Sequence, residues 1–267
     1  MSDKLITIEI SNGVADVRLN RPEKYNALSP EMFREIIAAG EKLNEAKEVR
    51  AVVLSGNGPG FCAGLDMATM GGLGEGGGGD SGGTLLQRDS RPENFAQRPA
   101  MVWKRLQVPV IAALHGVAYG GGAQIALGAD IRIAAPDMKM SIMEIKWGMI
   151  PDMSISQTLR DIVPLDVAKE LTFTGRVLNG EQAQALGLVT KVAEDPRAAA
   201  LELAAEIAGK SPDAIRASKR LLETVWHADE RTGLELESSL QTELIGSANQ
   251  MEAARANFEK RPPNFKD

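Results

Sequence analysis

The apolar runs in the first half of this chain are short, and two of them stop on glycine clusters. Ala51 to Ser55 (AVVLS) ends at Gly56-Asn57-Gly58-Pro59-Gly60, and Val108 to His115 (VPVIAALH) leads through Gly116-Val117-Ala118-Tyr119 into Gly120-Gly121-Gly122. Runs of this length read as strands, and glycine permits turns that a Cβ would obstruct. Leu5 to Ile10 and Val14 to Leu19 alternate around Ser11-Asn12-Gly13, which predicts a hairpin. Ile131 to Ala134 and Met138 to Ile142 are two further short strands. Arg21 to Leu28 has no periodicity and reads as a loop. Helices fall in between. Ser29-Pro30 pairs an N-cap with proline at the first helical position, and Met32, Phe33, Ile36, Ile37 and Leu43 share one face, so a helix should run to about Ala46. Another opens at the triple glycine and reaches about Ala129. From Ser154 onward the pattern is mostly helical, with Ser211-Pro212 restarting a helix that carries Ile215, Leu222 and Trp226. Short strands alternating with helices predict an α/β chain whose strands stack in successive turns around one core.

Composition narrows the function. With 267 residues, 43% of them apolar, the chain can bury a sizeable core. Its single cysteine, Cys62, excludes an internal disulfide and a Cys-rich zinc site. The two histidines, His115 and His227, are too far apart in sequence for a paired metal motif, so no metal site is expected. A net charge of -6 argues against nucleic acid or a membrane surface as partner. No apolar run approaches the roughly 18 residues of a membrane span. The start Met1-Ser2-Asp3-Lys4 lacks a signal-peptide core, and a cytoplasmic location is the expectation.

Glycine placement carries more than glycine number. Nine of the 27 glycines fall between Gly71 and Gly83, where Gly72-Leu73-Gly74-Glu75-Gly76-Gly77 matches a dinucleotide fingerprint. That fingerprint needs a strand before it and a helix opening inside it, and neither is present in the pattern. A mobile surface loop is the better expectation. In Phe61-Cys62-Ala63-Gly64-Leu65-Asp66-Met67 a strand ends in Gly64 and turns, which would leave the Leu65 amide unpaired. In Tyr119-Gly120-Gly121-Gly122-Ala123-Gln124 three glycines end a strand and begin a helix, whose first amides are free. Tight packing at strand ends would explain either site alone. Two such amides converging on one oxygen would form an oxyanion hole.

These segments resemble the crotonase superfamily, the enoyl-CoA hydratase/isomerase enzymes. The resemblance is carried by RPEKYNALS (Arg21 to Ser29), FCAGLDM (Phe61 to Met67), PVIAALHGVAYGGGAQIALGADIRIA (Pro109 to Ala134), MEIKWGMIPD (Met143 to Asp152), AKELTFTGRVLNGEQAQALGLV (Ala168 to Val189) and ANFEKR (Ala256 to Arg261). It implies a crotonase-like ββα spiral over residues 1–195, holding an acyl-CoA site, and a helical C-terminal trimerisation region over 196–267. It also implies a homotrimer or a hexamer, an acyl-CoA thioester substrate whose CoA is no separate cofactor, and a thioester enolate held by the Leu65 and Gly121 amides. Lys24, Ala27, Ala63, Gly64, Asp66, Gly120 and Gln124 fall in the matching substrate-binding segments. Phe258, Lys260 and Arg261 would reach the adenine and phosphates, in one version from a neighbouring subunit, with a solvated helix end as the alternative, and the Met70 to Ser90 stretch would lie over the acyl pocket and order on binding.

The reaction turns on the acid/base groups. Hydratases of the family carry one carboxylate just after the triple glycine and a second in the segment matching MEIKWG. Here the second is Glu144, but the first position holds Gln124. Syn hydration needs two groups that exchange protons with water, and an amide has none to exchange near neutral pH. One carboxylate suffices to move a double bond, so isomerisation of an enoyl- or dienoyl-CoA is the expectation. Hydration and a non-catalytic acyl-CoA binder are the alternatives. Asp152 matches an aspartate of the family's dienoyl-CoA isomerases, and both a proton-shuttling role and a turn role stay open for it. Trp147 and Met149 are expected to pack beside Glu144. Cys62 and His115 read as core residues. A serine hydrolase on a similar spiral lacks a serine within Gly121-Gly122-Ala123.

Overall fold

A computed structural model describes residues 4–66 and 85–267 of the chain. The glycine tract, its dinucleotide-like match and most of the Met70 to Ser90 expectation lie outside the described residues. Strands β1 (Ile6–Ser11) and β2 (Val14–Leu19) form the expected antiparallel hairpin, with Asn12 and Gly13 both at positive φ in its turn. Strands β3 (Ala51–Gly56), β4 (Val110–Leu114), β6 (Ile131–Ala134) and β8 (Lys191–Val192) then add in parallel, giving the order β1-β2-β3-β4-β6-β8.

The strands omitted from that series form a second sheet. Strand β5 (Val117–Tyr119) pairs in parallel with β7 (Lys139–Ser141). Cys62 bridges to Ala118 on one side of this pair and Leu178 to Met140 on the other. The chain therefore visits the large sheet, then the small one, then a helix, and repeats. This is the ββα spiral in physical terms, and each strand is short because it spans only one side of a turn.

Helix α1 (Pro30–Glu45) is capped by Ser29, whose hydroxyl accepts from Met32 N–H, and it buries the predicted face. Helix α2 (Arg98–Lys104) packs against α1 and against α3 (Gly121–Leu127), which opens at the triple glycine. The main core fills the space beneath them with Leu28, Met32, Ile36, Leu54, Phe61, Trp103 and Ile125.

Two departures from the sequence reading concern boundaries. The loop after Leu19 contains a 3-10 turn at Pro22–Lys24, followed by Tyr25 and Asn26 in the left-handed region. In addition, helix α7 (Pro196–Ala208) does not leave the core. Its Ala200, Ala204 and Ala208 cover Val14, Val53, Ile111 and Ile133 on the second face of the large sheet. Alanine at this spacing lets helix and sheet approach closely. Residues on both sides of the 195/196 division thus share one apolar cluster on that face. Short helices α4 (Ile155–Thr158), α5 (Leu165–Thr174) and α6 (Gly180–Ala185) precede α7. Beyond it, α8 (Pro212–Val225) is anchored by Lys219, which donates to the Val108 carbonyl and to Asp130. Helices α9 (Glu230–Leu244) and α10 (Ala248–Glu259) pack on α8 and leave Leu234, Met251 and Phe258 exposed. Among the described residues, no helix is long and apolar enough to cross a membrane.

Candidate active site

The site is built where the second sheet hands the chain to helix α3. Cys62 N–H donates to the Val117 carbonyl and Tyr119 N–H donates back to Cys62, so the FCAG segment runs beside β5. At Gly64, φ is +86°, and a Cβ there would stand 2.7 Å from the Tyr119 carbonyl oxygen. Only glycine fits this turn. The turn sends Leu65 into a parallel bridge with Leu28, in which Leu28 N–H donates to Gly64 and Asp66 N–H to Leu28. A residue so bridged presents its own N–H to the opposite side. Among the described residues neither Leu65 N–H nor Gly121 N–H donates a hydrogen bond. Gly120 has φ +50°, and a Cβ on Gly122 would strike the Cys62 carbonyl, which seats the start of α3 directly on the FCAG segment. The two amides singled out from sequence are thus unpaired neighbours, at a strand end and a helix N-terminus.

Glu144 begins a 3-10 turn (Glu144–Trp147) just after β7, and its side chain is buried. Its Oε1 accepts from Gln124 Nε2 at 2.6 Å and lies by Gly120, where an added Cβ would stand 3.3 Å from it. Its Oε2 is buried with no hydrogen-bond partner among the described residues. Leaving such an oxygen unpaired costs about 1–3 kcal/mol, a cost that folding alone does not explain. Burial lifts the Glu144 carboxyl above the usual range against the opposing hydrogen bonds, and the charge of Asp152 adds to the rise. Asp152 itself stands at the exposed rim, yet desolvation by the surrounding protein pushes its carboxyl up as well.

Gln124 is 1% exposed and engaged at both ends, because Met153 N–H donates to its Oε1 at 2.8 Å. Within the protein it holds Glu144. Asp66 is ion-paired with Arg21 at 2.5 Å, and the same guanidinium donates to the Ala27 carbonyl. Ala27 is buried, Ala63 is half-buried and Lys24 is exposed on the loop above them. Phe258 is 89% exposed at the end of α10, whose principal packing is against α8. Lys260 follows it in the left-handed region. Arg261 is tied bidentately to Glu252.

Trp147 and Met149 correct the expectation that they shield Glu144. Both are exposed: Trp147 ends the 3-10 turn with Lys146 5.9 Å from its ring centre, and Met149 follows the left-handed Gly148. Cys62 is core-like as expected: it is buried, with its thiol pushed up to about 12. His115 is half-buried and lies 2.9 Å from the Gly58 carbonyl, a link within the scaffold.

One residue was missed as a site builder. Asn26 is fully buried at φ +56°, and its Nδ2 lies within reach of the carbonyls of Asn57, Gly60 and Phe61 while its Oδ1 accepts from Arg21 N–H. It ties the loop carrying Ala27 to the segment entering FCAG. The signal was an asparagine in a loop without periodicity, since asparagine tolerates the left-handed region better than most side chains.

The chain matches the family described as enoyl-CoA hydratase/isomerase over residues 9–267. Mitochondrial methylglutaconyl-CoA hydratase of Mus musculus is 33% identical over 97% of this chain and 81% of its own length. An enoyl-CoA hydratase of Mycobacterium tuberculosis is also 33% identical, over 94% of this chain and 92% of the relative. The crystal structure of an enoyl-CoA hydratase from Bacillus anthracis superimposes with a TM-score of 0.89 at 30% identity, covering 98% of this chain and 99% of that one. The unpaired amides and the buried acid therefore stand on a scaffold shared with acyl-CoA enzymes, and the chain belongs to the enoyl-CoA hydratase/isomerase family of the crotonase superfamily.

Proposed function

We propose that this enzyme moves a double bond within an enoyl- or dienoyl-CoA thioester. The Leu65 and Gly121 N–H groups receive the thioester oxygen. Glu144 takes a proton from C2 or C4, the electron pair delocalises onto that oxygen as a dienolate, and the proton returns to the other carbon. Preorganised donors of this kind are worth about 10²–10³ in rate for each one present. Lys24, Ala27, Ala63 and Asp66 line the approach of the pantetheine and adenine. Phe258 and Lys260 cover the CoA from a neighbouring copy in a trimer or hexamer.

The observation that carries the choice of isomerisation is Gln124. Its amide occupies the position of a hydratase's first acid, and both of its ends are engaged with protein. Hydration is the second reading, favoured by relatives named as hydratases and by Asp152, whose charge reaches Glu144. Following 3-enoyl-, 2-enoyl- and 3,5-dienoyl-CoA by absorbance with the pure enzyme tests the proposal. Migration of the double bond faster than loss of the 2-enoyl absorbance supports it. Hydration as the dominant reaction overturns it, and CoA binding without turnover assigns a binder.

A further inference from the structure

We infer that Gln124 is a positioning residue: its amide, locked between Met153 and Glu144, confines the exchangeable proton of the acid/base carboxyl to Oε2. The inference deepens the proposed reading, and it rests on Glu144 being the acid/base group of that site.

The argument follows the direction of each hydrogen bond. A backbone N–H can only donate, so the Gln124 atom facing Met153 N at 2.8 Å is the oxygen. The atom facing Glu144 Oε1 at 2.6 Å is then the NH2 group, which can only donate. Glu144 Oε1 must therefore accept in both ionisation states, and a proton on the carboxyl must sit on Oε2. That atom is buried and has no partner among the described residues. A carboxylate at position 124 would not impose this order, because it could accept from Met153 yet could donate to Glu144 only when protonated.

The clamp is stiff at its far end. Gln124 is on α3 and 1% exposed, and Met153 places its sulfur where a Cβ on Gly121 would stand 2.7 Å from it. Gln124 and Met153 thus fix the acid/base carboxyl relative to the Gly121 amide. One oxygen then both takes the proton and returns it, so migration proceeds on one face of the acyl chain with little loss of the proton to solvent. Asp152 is the charged group whose field reaches Glu144, and Lys146 on the same turn stands instead near the exposed Trp147 ring.

The test compares Gln124→Leu, which removes both bonds, with Gln124→Glu, which keeps an acceptor for Met153 N–H and so reports even if the leucine variant folds poorly. Both remove a donor to ionised Glu144, so the acidic limb of kcat/KM moves upward by about one pH unit. In each, kcat for double-bond migration falls at least about ten-fold with KM within about two-fold, the signature of a lost transition-state contact. Deuterium from D2O should enter the product in the variants well above its level in the unsubstituted enzyme. A ¹³C NMR titration of the Glu144 carboxyl without substrate, with Glu144→Gln identifying the signal, reads the same shift independently of turnover. An unmoved limb with a raised KM would overturn the inference in favour of a substrate contact. Because the limb is read in whichever reaction predominates, finding hydration would end the isomerase proposal and leave this test standing. An active Glu144→Gln variant would instead remove the acid/base assignment on which both depend.

Discussion

Gly64 and Gly121 pack backbone to backbone, such that a Cβ on Gly64 would stand 3.6 Å from the Gly121 nitrogen. The turn that frees Leu65 N–H and the helix start that frees Gly121 N–H are consequently one structural unit. Gly121→Ala adds a Cβ against Met153 Sδ and Leu28 Cδ1 but keeps the N–H. Gly121→Pro meets the same neighbours and deletes the N–H, at a first helical position where proline is otherwise accepted. The proline variant should be slower than the alanine variant by about 10²–10³ in kcat, with comparable melting temperatures. Equal rates would take Gly121 out of the oxyanion hole.

Glu144→Gln should abolish double-bond migration while preserving the fold. It should also stabilise the protein near neutral pH. Burial raises the folded-state pKa of Glu144 above its unfolded value, so ionisation weakens the fold. That penalty is absent below the unfolded pKa of about 4.3 and complete above the raised folded value. Thermal melts at pH 4 and pH 8 should therefore show the variant gaining on the parent only at the higher pH. A gain of equal size at both would separate the stabilisation from ionisation.

Asp152→Asn divides two roles in one experiment. Removing this negative charge favours ionised Glu144, so the acidic limb should move to lower pH with any thioester. If Asp152 also shuttles protons along an extended diene, turnover of 3,5-dienoyl-CoA should fall by about 10²-fold or more, and that of 3-enoyl-CoA should not. Unchanged dienoyl turnover would leave Asp152 with its electrostatic effect alone.

The sequence made the local devices legible. The Ser29 cap, the Asn12-Gly13 turn and the glycines beside Leu65 and Gly121 depend on residues a few positions apart, where composition and backbone geometry speak directly. The partnerships across the site did not show. Gln124 meets Glu144 across 20 residues and Met153 across 29, and nothing local distinguishes a substrate-facing amide from one locked into protein. Trp147 and Met149 were misplaced for a related reason. Apolar character suggested packing, but neither a short 3-10 turn nor the loop after it has a long periodic face from which to read which side chains point inward. The core role of α7 was hidden by its alanines, whose small side chains give little amphipathic contrast.

Asn26 offers the sharpest test of how the site is held. Its side-chain NH2 serves three carbonyls, those of Asn57, Gly60 and Phe61, and its backbone sits in the left-handed region. Asn26→Gly relieves the backbone but forfeits the bonds, and should cost about 1–3 kcal/mol in urea unfolding. Asn26→Ala should cost more, since it loses the same bonds and strains the backbone. Asn26→Asp should be the most damaging of the three despite being isosteric. It keeps the acceptor for Arg21 N–H but turns a carboxylate oxygen toward three carbonyl oxygens, burying a charge with no donor on that side. Because this residue joins the loop bearing Ala27 to the segment leading into Leu65, kcat should fall in the same order as stability. A stable Asn26→Asp variant with normal turnover would show that the two loops hold their positions without it.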